Sequence, residues 1–270
     1  MRLIVTEVTQ NKPMFPTLFI SHGSPALCMM EHQTADFIKN LPLMFDKPEY
    51  IIIVSAHWVT PELKILSNAN PKLIYDFYGF PQALYNKTYA AKNDTDMVDN
   101  IINVLQKNGM QITKDAQREG YDHGVWSPLS LIYEKADIPI IQLSLPLELG
   151  INELLKIGKA LQVFRKNSLI IGTGSMTHNL QDSVWQIDAP VQHYAKNFRD
   201  WMARKLETGE IDSLKKFIQL APDTAKNHPT LEHILPLFVS IGASKNNVGQ
   251  SLNDTYMYGN QSMDTIIFKE

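Results

Sequence analysis

The chain has 270 residues, 44% of them hydrophobic and 20% charged, with a formal net charge of −3. That length can bury a full core, as one large α/β domain or two small ones, and the composition is that of a soluble globular protein. No Lys/Arg block offers the electrostatic footprint of a nucleic-acid binder, and no apolar run nears the roughly 18 residues of a membrane span. Met1 to Gln10 include Arg2 and Glu7 and hold no signal-peptide core, which makes the cytoplasm the default setting. Cys28 is the only cysteine, which excludes an internal disulfide and a thiolate metal cluster. A bound metal would therefore take His, Asp or Glu ligands, a set that suits zinc, iron or manganese.

Residues 1–13 read as a loosely held leading segment. The run Met14 to Ile20 carries β-formers and is short enough for a buried strand, ending in the turn signal Ser21-His22-Gly23-Ser24-Pro25. Cys28 to Asn40 is spaced as a short helix. A second buried run, Tyr50 to Val54, leads into Ser55-Ala56-His57-Trp58, and Glu62 to Leu66 alternates as a half-exposed strand. The segment Pro71 to Tyr89 is rich in aromatic and turn residues around Tyr75-Asp76-Phe77-Tyr78-Gly79-Phe80-Pro81. It fits a lid or substrate wall, and it fits equally a surface loop packed by its own rings.

Thr95 to Lys107 shows a helical stripe stopped by Asn108-Gly109, and Met110 to Thr113 is a weak strand. Tyr121-Asp122-His123-Gly124-Val125-Trp126 sets a histidine beside a glycine, and Ser127-Pro128 supplies a cap and first-turn proline for a helix through Tyr133. Ile138 to Leu145 is a buried strand. Asn152 caps a helix Glu153 to Phe164, and Ser168 to Ile171 forms a strand running into Gly172-Thr173-Gly174-Ser175-Met176-Thr177-His178-Asn179. The third quarter is helical. Asp188 and Pro190 open a helix with the stripe Val191, Tyr194, Phe198, Trp201 and Met202. Asp212 to Leu220 forms a second helix, and a third begins near His228 or Thr230. Thr255–Tyr258 and Ser262–Phe268 flank Gly259-Asn260 as a closing hairpin. With no repeat, linker or low-complexity tract, the reading is one α/β domain.

Eight histidines are present. His32 and His193 read as surface residues from their polar neighbours and helix phase. His22, His57, His123, His178 and His233 share another setting, with small residues or a turn beside the imidazole at a strand end or helix start. Three apolar strands each deliver a histidine at the carboxyl edge, where α/β sheets bind ligands. Local signatures of other chemistries are missing: no His-Glu-x-x-His, no calcium loop, no Rossmann loop at Gly172-Thr173-Gly174, and no nucleophile elbow. What remains is a metal site assembled from distant strand ends, with coordination positions left open for substrate.

The stretches Pro16 to Pro25, Ser55 to Trp58, Phe77 to Pro81, Asp122 to Trp126, Thr177 to Leu180 and Pro229 to His233 resemble, in order, the DOPA-dioxygenase group of class III extradiol ring-cleavage enzymes. The resemblance implies a single catalytic domain over 1–270, a central mixed sheet flanked by helices. It also implies one divalent metal ion per chain held by His22, His57 and His233, with His178 on it or close by. Many extradiol enzymes use two histidines and a carboxylate. Here His233 stands at the third position, and on a helix Glu232 would point about 100° away from it. His228, followed directly by Pro229, reads as a cap or a residue behind the ligands.

The activity implied is oxidative ring cleavage of a catechol such as DOPA with O2. His178 is the expected acid/base group and His123 the expected hydrogen-bonding partner of the oxygen intermediate. Fe2+ is the redox-competent ion, and Zn2+ is the ion expected in purified protein. The Tyr75 to Pro81 loop and Trp58 or Trp126 are candidate walls for the ring. Neither nucleic acid nor membrane is expected as a partner, and the chain is expected as a monomer or homodimer. Two other functions fit the same residues: a zinc hydrolase, and a non-catalytic Memo-like metal-binding scaffold.

Overall fold

Three of the apolar runs become neighbouring parallel strands. In the computed structural model, which describes residues 13–269, these are β1 (Thr17–Ser21), β2 (Tyr50–Thr60) and, numbering on in chain order, β6 (Ser168–Gly174). The others in the main sheet are β3 (Lys64–Leu66), β4 (Thr113–Asp115), β5 (Ile140–Pro146), β7 (Gln250–Ser251) and β8 (Thr265–Phe268). The order across the eight strands is β4-β3-β5-β2-β6-β1-β8-β7. The four inner strands β5, β2, β6 and β1 run parallel, while β3 runs antiparallel to β5 but parallel to β4, and β8 runs antiparallel to both β1 and β7, giving a mixed sheet. The expected leading segment lies, except for Pro13, outside the described residues.

Helices cover both faces, so the inner strands are apolar on both sides rather than alternating. Phe19, Ile52, Ile141 and Ile170 face one core with α2 (Thr95–Lys107), α4 (Gly150–Leu161), α5 (His193–Glu207) and α6 (Pro236–Ala243). Leu18, Ile20, Ile51, Ile53 and Ile171 face the other with α1 (Gln33–Asn40) and α3 (His123–Ile132). The Asp94 carboxylate caps α2 by accepting from the Met97 amide at 2.8 Å, and Gly109 ends it at φ +78°. Among the described residues no helix is long and apolar enough to cross a membrane.

Several boundaries move from their expected places. The Cys28–Asn40 helix splits into a short turn of 3-10 helix, Pro25–Met29, and α1, which the His32 ring caps by accepting from the Thr34 amide. Asn152 does not cap α4, which starts at Gly150 behind Leu149. The helix placed at Ser127 begins four residues earlier, at His123, leaving Pro128 inside it. The segment 212–220 breaks into Ile211–Lys215 and Phe217–Leu220. The helix placed near His228 or Thr230 starts only at Pro236, so Glu232 and His233 sit in turns. The closing hairpin is Tyr256–Met257 with Gln261–Ser262, and Thr265–Phe268 leaves it to pair with β1.

Beside β1 a buried ion pair ties the chain's last strand to α5. Asp264, with no exposed side-chain surface, accepts from Arg199 Nε at 3.0 Å and Nη2 at 2.8 Å, and from the Ser251 and Ser262 hydroxyls. Its carbonyl also takes the Ser21 amide at 2.9 Å, which fixes the residue just before His22. Removing one partner of such a pair strands the other charge. Asp264→Ala is therefore expected to lower stability to urea by about 3 kcal/mol or more; an unchanged unfolding midpoint would show that the pair contributes nothing.

Candidate metal centre

The carboxyl ends of the inner strands bring five histidines together. His22 follows β1 directly, and His178 lies four residues past β6. His57 lies inside β2 rather than beyond it, because the β2–β5 register breaks between Val54 and Val59. A bulge of this kind re-aims side chains next to active sites. His123 opens α3, and His233 sits in the turn before α6. The His57 ring centroid is 4.8 Å from that of His22, 4.0 Å from that of His123 and 5.0 Å from that of His233, while His178 stacks on His233 at 3.5 Å. Ligand atoms of His22, His57 and His123 form one compact group, and those of His178, Glu232 and His233 form a second beside it. His32 and His193 make no ring contact with either group among the described residues.

Glycine permits this crowding. A Cβ on Gly174 would lie 2.0 Å from the His233 carbonyl, which is where the Ser175 amide donates at 2.8 Å. Gly23 turns the chain after His22 at φ +61°, a conformation that favours glycine.

Hydrogen bonds on the outer side of the rings decide where the lone pairs point. Pro128 has no N–H for the Gly124 carbonyl four residues back in α3. The Thr173 hydroxyl donates to that carbonyl instead, at 2.8 Å. With its proton spent, Thr173 Oγ1 can only accept from His22 Nδ1, 3.0 Å away. Asp76, an acceptor only, lies 3.2 Å from His57 Nδ1. Both Nε2 atoms are then bare, and they face each other at 3.0 Å. Two lone pairs at that distance repel unless a cation lies between them. Two ligand nitrogens about 2.1 Å from one ion stand about 3 Å apart when the bonds meet near a right angle. The buried His233 Nε2, also without a partner, adds a third free nitrogen, its Nδ1 lying 3.1 Å from Glu232 Oε1. The donor set fits a divalent ion.

Burial keeps His22, His178 and His233 neutral. It lowers His22 well below the ordinary histidine value, helped by the neighbouring His57, His123, His233 and His178 rings. It brings His178 to about 2, reinforced by His233 and His228, and His233 to about 4 despite the Glu232 hydrogen bond. Burial would raise Asp76, but hydrogen bonds from His123 and His57 outweigh it and hold the carboxyl far below its usual range. Neutral imidazoles are the ligand form, so binding an ion has little proton to displace.

Three supporting residues, Ser55, Asp122 and Thr173, carry no sequence signal of their own. Ser55 accepts from the His57 amide and donates to Asp122 at 2.6 Å, anchoring the bulge. The buried Asp122 also takes Arg118 at 2.8 Å and Gln142 at 2.7 Å. Thr173 is the third, revealed only by contacts remote in sequence, whereas Glu232 bonds to its neighbours Thr230 and His233 once the turn replaces the expected helix. Asp76 had one hint, a lone carboxylate among the aromatics of its loop. The tryptophans correct the expected walls: Trp126 is fully buried, and Trp58 is 5% exposed beneath the Arg118 guanidinium. Phe77, partly exposed and 5.8 Å from His123, is the ring at the site. His228 is buried, with Nε2 2.9 Å from the Met176 carbonyl behind the cluster, and its amide closes the short helix Thr224–Asn227 rather than opening the next one.

An imidazole cluster at the carboxyl edge of a mixed α/β sheet could hold a divalent metal ion where such sheets bind ligands. The chain belongs to the family of the catalytic LigB subunit of aromatic ring-opening dioxygenases, whose model matches residues 16–265. It is 34% identical over 235 residues to a 4,5-DOPA dioxygenase extradiol of Beta vulgaris, covering 86% of this chain and 87% of the relative. The protein of that name from Escherichia coli K12 is 30% identical over 244 residues, covering 89% of each. An uncharacterized Escherichia coli K12 protein of known structure shares the fold, with TM-score 0.77 and 24% identity over 94% of this chain and 99% of its own. The chain is thus an extradiol ring-opening dioxygenase by family, and metal dependence comes with that class.

A pH dependence follows for the metal-free protein. His178 and His233 have folded values below the unfolded histidine value of about 6.5, so the unfolded chain binds more protons in the window between. Stability is intact above about pH 6.5 and falls as pH drops from there toward about 4. The thermal midpoint of chelator-treated protein should therefore fall steadily from pH 7 to pH 5; a flat profile would mean the rings are not buried neutral.

Proposed function

We propose that the protein cleaves the ring of a catechol carrying a polar side chain, such as DOPA, with O2, and that residues 1–270 form one catalytic domain. The observation that carries this reading is the pair of bare Nε2 atoms of His22 and His57 meeting at 3.0 Å in a chain of this family. His22, His57 and His233 would hold one divalent ion. That ion, Fe2+ in the active state and Zn2+ as an inactive occupant, would supply Lewis acidity and, as iron, redox chemistry.

The protein's own groups do the rest. His178, partly exposed and stacked on His233, accepts the diol proton at an imidazole nitrogen. His123, its ring centroid 4.0 Å from that of His57, is the group proposed to meet dioxygen. Phe77, edge-on to His123, flanks the ring, while the catechol side chain points outward from the carboxyl edge of the sheet. A second reading makes His123 the third ligand, because its ligand atom groups with those of His22 and His57. The lone cysteine suits a reducing, cytoplasmic setting, and the chain acts as a monomer or homodimer without nucleic-acid or membrane partners.

Oxygen uptake after anaerobic Fe2+ loading tests the reading. DOPA should support uptake and tyrosine should not, because a monophenol loses the chelate and with it the advantage of a second tethered contact. Equal uptake with both would refute chelation, and ester hydrolysis without oxygen uptake would favour a zinc hydrolase. His178→Ala should keep its metal and lose turnover by roughly 10²–10⁴-fold, whereas His57→Ala should lose the metal itself. Loss of metal from His178→Ala would make His178 a ligand.

A further inference from the structure

We propose that Asp76 is a positioning residue whose single carboxylate fixes the tautomer and aim of His57 and His123 together. The proposal rests on reading the cluster as a metal centre. Oδ2 lies 3.2 Å from His57 Nδ1, and Oδ1 lies 2.9 Å from His123 Nδ1 while also accepting the His123 amide at 3.0 Å. A carboxylate accepts and cannot donate, so both rings must carry their proton on Nδ1. Both Nε2 atoms are then unprotonated, and that of His57 faces His22 Nε2 at 3.0 Å. One residue outside the cluster thus sets two of its five rings.

The carboxylate is held firmly enough to do this. Just before it, Lys72–Leu73 pairs in register with Gly120–Tyr121, two residues short of His123. The Ile74 amide donates to the Tyr121 carbonyl at 2.7 Å, and Trp126 Nε1 donates to the Ile74 carbonyl at 3.1 Å. On the far side Phe77 packs against Trp126 and His123. The start of α3 and the aromatic loop are therefore one unit. Asp122, at the helix N-terminus, makes no side-chain capping bond, so Asp76 also supplies the acceptor for the His123 amide. The side chain keeps 23% of its surface exposed, so replacing it leaves no sealed void.

Asp76→Asn separates positioning from packing. The amide oxygen still serves His123, but the NH2 group now faces His57 Nδ1. Two donors cannot pair, so the His57 proton moves to Nε2, the nitrogen aimed at the centre. Imidazole ¹⁵N NMR of the metal-free wild-type chain should show His22, His57 and His123 protonated on Nδ1. In Asp76→Asn, His57 should switch to Nε2 while His22, bonded to Thr173, does not. Zinc affinity by competition with a chromophoric chelator should fall about 10- to 100-fold. Wild-type His57 or His123 protonated on Nε2, or an Asp76→Asn chain with unchanged tautomers and zinc affinity, would overturn the proposal. These readouts are independent of turnover: weak zinc binding in Asp76→Asn beside a wild type that consumes no oxygen would leave the positioning role standing and sink the catechol reading.

Discussion

Everything at this centre depends on keeping neutral imidazoles crowded together with their lone pairs turned inward. Bare nitrogens 3.0 Å apart repel, and nothing in the apolar sheet behind them compensates. The protein anchors the outer nitrogens instead. Thr173 takes the His22 proton, and its own hydroxyl is committed to the Gly124 carbonyl that Pro128 leaves unpaired. A helix-breaking residue thereby decides the tautomer of a candidate ligand on a different strand. Thr230 and His233 both bond to Glu232, so the third free nitrogen is braced in the same manner.

The sheet supplies the platform for this arrangement. β1 sits between β6 and β8, so strands from the two ends of the sequence lie side by side and His22 leaves an inner strand rather than an edge. Backbone approaches too close for any side chain, as at Gly174 beside the His233 carbonyl, bring the turn before α6 onto the strand ends. The Asp122 carboxylate, buried among Ser55, Arg118 and Gln142, fixes the bulge that carries His57. Local rules are broken where the site is built: a bulge in the longest strand, a proline inside a helix and buried charge under a histidine. Such departures are expected at functional sites and are supported by the regular structure around them.

The elements with strong periodicity were legible from the residues alone. The Thr95–Lys107 stripe with its Asn108-Gly109 stop matches α2, and the apolar runs match β1, β2, β5 and β6. The histidines were legible because a glycine or turn beside an imidazole at a strand end is a recognisable setting. Their supports were not, since His22 and Thr173 are 151 positions apart and His123 and Asp76 are 47 apart. Ser127-Pro128 imitated a helix start because a proline in the first turn and one tolerated deeper in a helix look alike in sequence. Glu232 and His233 were separated by helical geometry that does not apply, since both sit in turns and hydrogen-bond to each other.

The central claim is that these imidazoles converge on one ion. X-ray absorption on protein loaded with one equivalent of Zn2+, combined with metal counting, tests it most directly. One ion per chain in a shell of three or four imidazole nitrogens at about 2.0–2.1 Å is the expected result. A shell without histidine, or no ion retained after dialysis, would contradict it.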